Sequence, residues 1–216
     1  YKIIKSKNDH QIDVLSPEWS VGILQRMEEV SEVIISPFKH GELNLQERRS
    51  LGKRLRERNY DKSIILTNSF KSSLVPYFAN IPTRVGWLGE FRYGFINDIK
   101  KFNKHERMLM IERFALLESD SFVAEKIPRP SLSVDGDNVE TLLFAHGIDE
   151  ARPTIALCPG AEFGPAKRWP SYYYSEITDD YLSKGWNVII LGSSKDSKVA
   201  LDIKNYLSID SHKNFF

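Results

Sequence analysis

Lys167 and Arg168 lie near the end of the stretch Thr154–Pro170, TIALCPGAEFGPAKRWP, just ahead of a segment of helical character that begins at Ser171. The stretch opens on the apolar run Thr154–Cys158, breaks at Pro159-Gly160, and passes Gly164 and Pro165 before reaching the two cations. A strand, a loop of small residues and then a helix suit a phosphate. Glycine lets the backbone approach, free N–H groups point at the anion, and the helix N-terminus adds partial positive charge. Lys167 would bring a full charge to a diphosphate. The loop is neither GxGxxG nor GxxxxGK followed by Ser or Thr, so the dehydrogenase and P-loop readings lose their main support. A surface turn with two solvated cations is the alternative for any Lys-Arg pair. Here the loop leaves the carboxyl end of a predicted strand, where open α/β sheets bind ligands, and this favours the phosphate site. For Arg168, a second phosphate cation and a solvated side chain stand equal.

Three further groups carry possible chemistry. Ser193 and Asp196 follow a predicted strand ending at Leu191, and an acid there accepts hydrogen bonds from ribose hydroxyls or else caps a helix. Asn68-Ser69-Phe70-Lys71 follows the predicted strand Ser63–Leu66, with Lys71 available to an acidic ligand or Ser69 simply starting a helix. Gly86–Gly94 places Trp87, Phe91, Arg92 and Tyr93 between three glycines. Aromatics beside an arginine suit sugar stacking and anion pairing, and Trp87 and Phe91 suit loop packing at least as well.

Alternating elements must position these loops. Predicted strands are Gln11–Leu15, Val33–Ser36, Ser63–Leu66, Arg84–Gly86, Thr154–Cys158 and Asn187–Leu191. Predicted helices are Leu45–Asn59, Lys71–Ala79, His105–Glu118, Asn138–His146, Ser171–Lys184 and Ser197–Tyr206. Such alternation argues for parallel sheets wrapped by helices, an α/β fold in two halves. Gly147 and Gly185 fall where helix C-caps belong, and Ser171 where an N-cap belongs. Tyr174, Ile177, Tyr181 and Leu182 share one predicted helical face. The prolines of Lys126-Ile127-Pro128-Arg129-Pro130 favour an extended segment, which sets a domain boundary between 1–127 and 128–216.

The chain has 216 residues, is 41% hydrophobic and 27% charged, and carries a net charge of +1. These values fit a soluble globular protein and exclude a globally basic nucleic-acid binder. No apolar run reaches the roughly 20 residues of a membrane helix. The single cysteine, Cys158, excludes an internal disulfide, and in a predicted strand it reads as a packed thiol. Arg48, Arg49, Lys53, Arg54, Arg56 and Arg58 form a basic run with Leu51 and Leu55 on one face. It reads as a solvated helix surface, with attraction to an anionic membrane leaflet as the weaker alternative. The histidines show no metal-ligand spacing, and no Asp-x-Asp pair calls for a metal.

PGAEFGPAKRWP, Tyr172-Tyr173-Tyr174 and the strand ending in Leu191-Gly192-Ser193-Ser194-Lys195-Asp196 resemble the lipopolysaccharide core heptosyltransferases. His40-Gly41, Glu47–Gly52, Tyr60-Asp61, Asn68–Ser72 with Leu74-Val75-Pro76, and Gly86–Gly94 resemble the same family, in the same order. The resemblance implies two Rossmann-like domains facing a cleft, the glycosyltransferase B type. It assigns residues 1–127 to the acceptor side and 128–216 to the start of the nucleotide-sugar side. It also implies inverting transfer of the second heptose from ADP-L-glycero-D-manno-heptose to the inner core, on heptosyl-Kdo2-lipid A, without cofactor or metal. The expected place is the cytoplasm, with peripheral contact at the inner membrane and no nucleic-acid partner.

Carried over by position, Gly160, Ala161, Glu162, Phe163, Lys167, Ser193 and Asp196 are the donor-binding residues, and Lys167 stabilises the departing ADP. Asn68, Ser69, Lys71 and Arg92, read from their own residue types, are the expected acceptor-binding residues. Family members carry their base in a Gly-Asp loop before the first helix, and later an Asp-Ser-Gly-x-x-His motif. Neither motif occurs here, so both domains are expected to be incomplete and this stretch alone inactive. Asp13 lies in a predicted strand and is not that base. A transferase using another nucleotide sugar, or a non-catalytic anion-binding α/β module, are the competing readings.

Overall fold

The computed structural model describes residues 1–101, 108–119, 127–162, 164–208 and 215. Tyr1–Ser133 and Val134–Phe216 form separate compact units. The segment 128–133, placed from sequence in the second half, belongs to the first unit. Ser133 donates its N–H to the Arg26 carbonyl at 2.7 Å, and Lys2 Nζ donates to Ser131 Oγ at 2.6 Å.

In the first unit, β1 (Asp13–Ser16) and β2 (Glu32–Ile35) pair in parallel, with Asp13 opposite Glu32. A second parallel sheet runs in the order β3 (Lys62–Ile65), β4 (Thr83–Trp87), β5 (Asp98–Lys100). Around these strands lie α1 (Lys2–Lys5), α2 (Val21–Leu24), α3 (Leu45–Leu55), α4 (Leu74–Phe78) and α5 (Met110–Ala115). The apolar strand residues dictate the core: Val85, Trp87 and Leu117 are buried together, with Ile64 and Leu116 against them. Two short elements, α2 and β5, were not expected from sequence. The helix expected at His105–Glu118 is realised as α5, its first expected turn lying outside the described residues.

α3 starts where Asn44 caps it, accepting a bond from the Glu47 N–H at 3.4 Å. The solvated surface expected of the basic run holds for Arg49, Lys53, Arg54, Arg56 and Arg58, which are exposed, but not for Arg48, which is buried. Arg48 follows the helical periodicity of Leu51 and Leu55 onto the inner face. Its guanidinium reaches the carbonyls of Leu43 at 2.5 Å, Lys71 at 3.1 Å and Glu42 at 3.2 Å, and stacks over Phe38. Burial pushes its pKa down.

The second unit holds β6 (Thr154–Leu157) and β7 (Asn187–Ile190), paired in parallel, with α6 (Gly136–His146), α7 (Ser171–Ser183) and α8 (Ser197–Tyr206). Val188 and Ile203 are fully buried, and α7 packs on both β7 and α8. Gly147 and Gly185 adopt φ of 66° and 78°, the left-handed conformation expected after a helix. Two local expectations are corrected. Ser171 is the first residue of α7, with Pro170 at the N-cap, because the fixed φ of proline already suits that position. Cys158 lies one residue beyond β6 and is exposed, since the strand ends at Leu157.

Candidate functional site

The loops leaving the carboxyl ends of β6 and β7 meet within the second unit. After β6 the chain passes buried Pro159 and reaches Gly160. After β7 it enters a turn over Ser194–Asp196 that is closed by a capping box: Asp196 Oδ2 accepts the Ser193 N–H and the Ser193 hydroxyl, each at 2.9 Å. The Asp196 side chain makes no capping bond to α8. Its carboxylate points back over the Gly160 backbone instead. A Cβ placed on Gly160 would lie 2.4 Å from Asp196 Oδ1, so no larger residue fits there without displacement. The Ser193 N–H and hydroxyl hold the Asp196 carboxyl below the usual carboxylate range, helped by the charges of Arg168 and Lys195.

Two more bonds tie this region together. Lys195 Nζ donates to Glu162 Oε1 at 2.9 Å, and Arg168 Nη2 donates to the Ala161 carbonyl at 3.3 Å. The Glu162 bond pushes the Lys195 pKa up. Lys167 ends the helical turn Pro165–Lys167, with its N–H donating to the Gly164 carbonyl at 3.3 Å. Its ammonium is exposed and has no side-chain partner among the described residues. The structure therefore brings together Gly160, Ala161, Glu162, Ser193 and Asp196, and leaves Lys167 open to solvent on the same loop. Phe163 lies outside the described residues. Sequence reasoning missed Lys195; its position in the same short post-strand segment as Asp196 was the available signal.

In the first unit, the loops leaving β3 and β4 also meet. Arg92 is fully buried, and its guanidinium holds both loops. Nη1 donates to the Thr67 carbonyl at 2.8 Å, to Ser72 Oγ at 3.1 Å and to the Ser69 carbonyl at 3.3 Å, while Nη2 donates to the Trp87 carbonyl at 2.5 Å. Burial lowers its pKa, against the pull of Glu90. Glu90 Oε2 in turn accepts the Phe70 N–H at 2.6 Å. Asn68 is exposed, and Ser69 and Lys71 are half-buried. Ser69 occupies the N-cap of the turn Phe70–Ser73 but makes no side-chain capping bond. Of the four acceptor-side residues expected from sequence, Arg92 is the one enclosed by backbone carbonyls. Trp87 is buried in the core, and Phe91 is almost fully exposed.

Asp13 sits at the amino end of β1, away from these loops, and accepts the Tyr60 hydroxyl at 2.6 Å. Burial, and then that bond, push the Tyr60 pKa up. Among the described residues, no group of three or more His, Cys, Asp or Glu is placed to hold a metal. No described helix is long and apolar enough to cross a membrane.

The chain is 43% identical over 211 residues to lipopolysaccharide heptosyltransferase 2 of Salmonella typhimurium, a match covering 94% of this chain and 61% of that protein. It is 44% identical over 199 residues to lipopolysaccharide heptosyltransferase 2 of Escherichia coli, covering 89% and 57%. The solved E. coli ADP-heptose lps heptosyltransferase II superposes with a TM-score of 0.86 at 35% identity, covering 100% of this chain and 65% of that one. The chain thus spans about 60% of the length of these curated relatives. The family model for glycosyltransferase family 9 (heptosyltransferase) matches residues 48–208, which take in both pairs of loops. By that match, the chain belongs to glycosyltransferase family 9, the heptosyltransferase family.

Proposed function

We propose that this protein transfers a heptose from ADP-L-glycero-D-manno-heptose to the inner core of lipopolysaccharide, as the second heptose and with inversion. The observation that carries the reading is the packing of the Asp196 carboxylate on Gly160. It supports a nucleotide site in which the Gly160–Lys167 loop takes the diphosphate and Asp196 with Ser193 takes the ribose. The names of the relatives, heptosyltransferase 2 and ADP-heptose lps heptosyltransferase II, support the choice of sugar and acceptor.

In this reading the acceptor hydroxyl oxygen attacks the anomeric carbon. The bond from that carbon to the diphosphate breaks, and ADP leaves with the electron pair. Lys167 meets the charge that develops on the leaving group, which is electrostatic catalysis by a positioned cation. The Lys195–Glu162 pair holds the loop, and Arg168 fixes its Ala161 end. A carboxylate takes the proton from the acceptor hydroxyl; family resemblance places it in a Gly-Asp loop ahead of the first helix. The loops after β3 and β4 bind the acceptor, through Asn68, Ser69 and Lys71, with Arg92 as a positioning residue beneath them. The donor therefore belongs to the Val134–Phe216 unit and the acceptor to the Tyr1–Ser133 unit.

We place the reaction in the cytoplasm at the inner-membrane face, where exposed Arg49, Lys53 and Arg54 of α3 suit an anionic surface. Calorimetric titration with ADP, UDP and GDP tests the nucleotide site. Preference for ADP supports it. Equal affinity for all three, or binding of polyanions with steep salt dependence and no base preference, contradicts it.

A further inference from the structure

We propose that Phe91 is an acceptor-binding residue, an aromatic platform for the apolar face of a pyranose ring; this rests on the transferase reading above. β4 and β5 are parallel neighbours, yet only residues 88–97 join them, fewer than the dozen or so that a parallel connection usually takes. The chain reverses tightly by placing Glu90 and Phe91 in the left-handed region, with φ of 46° and 52°. Reversal explains the conformation but not the residues. Glycine or asparagine would take it at lower cost, and an aromatic side chain there is strained by about 1 kcal/mol or more. Hydrophobic burial gives no compensation, because Phe91 is 88% exposed.

The surrounding structure nevertheless holds that backbone firmly. Arg92, the next residue, is fully buried and bonded to four oxygens of the two loops. Glu90 anchors to the Phe70 N–H at 2.6 Å. Gly89 lies so close to the neighbouring loop that a Cβ there would sit 2.9 Å from the Asn68 carbonyl oxygen. An exposed ring on a fixed, strained backbone, locked to the loop that carries Asn68, Ser69 and Lys71, is a preformed contact surface. An aromatic face beside a few hydrogen-bonding side chains matches a sugar, whose C–H face is apolar and whose rim of hydroxyls is polar.

The test compares full-length wild type with Phe91→Ala, Phe91→Asn and Phe91→Tyr, using a deacylated heptosyl-Kdo oligosaccharide as acceptor. Phe91→Ala and Phe91→Asn should raise the acceptor KM about tenfold, leave kcat within about twofold and leave ADP affinity unchanged. Phe91→Tyr keeps the ring and should retain the wild-type KM. Phe91→Asn should melt at or above the wild-type temperature, because asparagine tolerates the left-handed backbone. An unchanged acceptor KM in Phe91→Ala, with active wild type, overturns the proposal and leaves the transferase reading intact. A lower melting temperature in Phe91→Asn with kcat and KM impaired together also overturns it, by making Phe91 structural. If wild type transfers no heptose, the transferase reading fails. Calorimetric titration of the same oligosaccharide then decides the proposal: weaker binding to Phe91→Ala supports it, and equal or absent binding overturns it.

Discussion

The Asp196 carboxylate occupies the space that a side chain on Gly160 would need, with Oδ1 2.4 Å from where that Cβ would lie. Two loops that follow different strands are therefore locked by one residue that lacks a side chain and one whose charge is fixed by Ser193. Gly160→Ala should destabilise the second unit by about 1 kcal/mol, the cost of displacing the Asp196 carboxylate from its Ser193 bonds. Most of that loss should disappear in Gly160→Ala/Asp196→Ala, since the clash needs both side chains. Thermal unfolding of the single and double variants measures this coupling, and strictly additive losses would show that the two residues do not press on each other.

Lys167 is exposed, and its side chain has no partner among the described residues to lose. Lys167→Ala should leave the fold intact while lowering turnover by the equivalent of about 2–4 kcal/mol in the transition state. Steady-state kinetics on the folded variant checks it. Near-normal turnover would remove Lys167 from the proposed diphosphate site.

The two proposed substrate sites should separate by mutation. Asp196→Ala should weaken ADP binding about tenfold, as expected when a hydrogen-bonding carboxylate is lost. Lys71→Ala should leave ADP binding unchanged and raise the acceptor KM. ADP calorimetry on both variants decides the assignment. Loss of ADP affinity in Lys71→Ala with retention in Asp196→Ala would reverse the roles of the two units.

The pH dependence of stability should report Glu118. Lys62 Nζ donates to its carboxylate at 2.7 Å and Lys7 Nζ at 3.1 Å, joining the turn after α1, the start of β3 and the turn after α5. Burial would raise its pKa, but the bonds from both lysines overcome burial and lower it. The folded value is thus below the unfolded one. Its stabilisation is fully present above the unfolded value of about 4.3 and is lost as pH falls through the folded value. Glu118→Gln should cost about 1 kcal/mol at neutral pH and flatten the fall in melting temperature below about pH 4. An unchanged acid profile would show that these lysines do not hold the carboxylate.

How far the sequence reveals this structure depends on the kind of signal. Thr154–Cys158 and Asn187–Leu191 announce their strands because short apolar runs bounded by glycine or proline have few other uses. The alternation of such runs with helical segments was enough to give the parallel α/β architecture. β5 was missed because Asp98-Ile99-Lys100 has one apolar residue, and its pairing with β4 comes from tertiary context. The burial of Arg48 and Arg92 was not foreseen for a different reason. From sequence Arg48 reads as solvated and Arg92 as a ligand-facing cation, yet the guanidinium of each is held by backbone carbonyls that only the folded loops supply. Arg48 did carry a signal, its helical spacing with Leu51 and Leu55; Arg92 lies in a loop and carried none. Asp196 was legible as a candidate, but its packing on Gly160 joins residues far apart in sequence and required the structure.

The central claim is tested most directly by transfer itself. The full-length protein, given ADP-heptose and a deacylated heptosyl-Kdo acceptor, should yield a product one heptose heavier by mass spectrometry, together with free ADP. The same acceptor with UDP- or GDP-linked sugars should yield none. Absence of product from ADP-heptose under conditions where the protein is folded and binds the acceptor, or efficient transfer from another nucleotide sugar, would contradict the account.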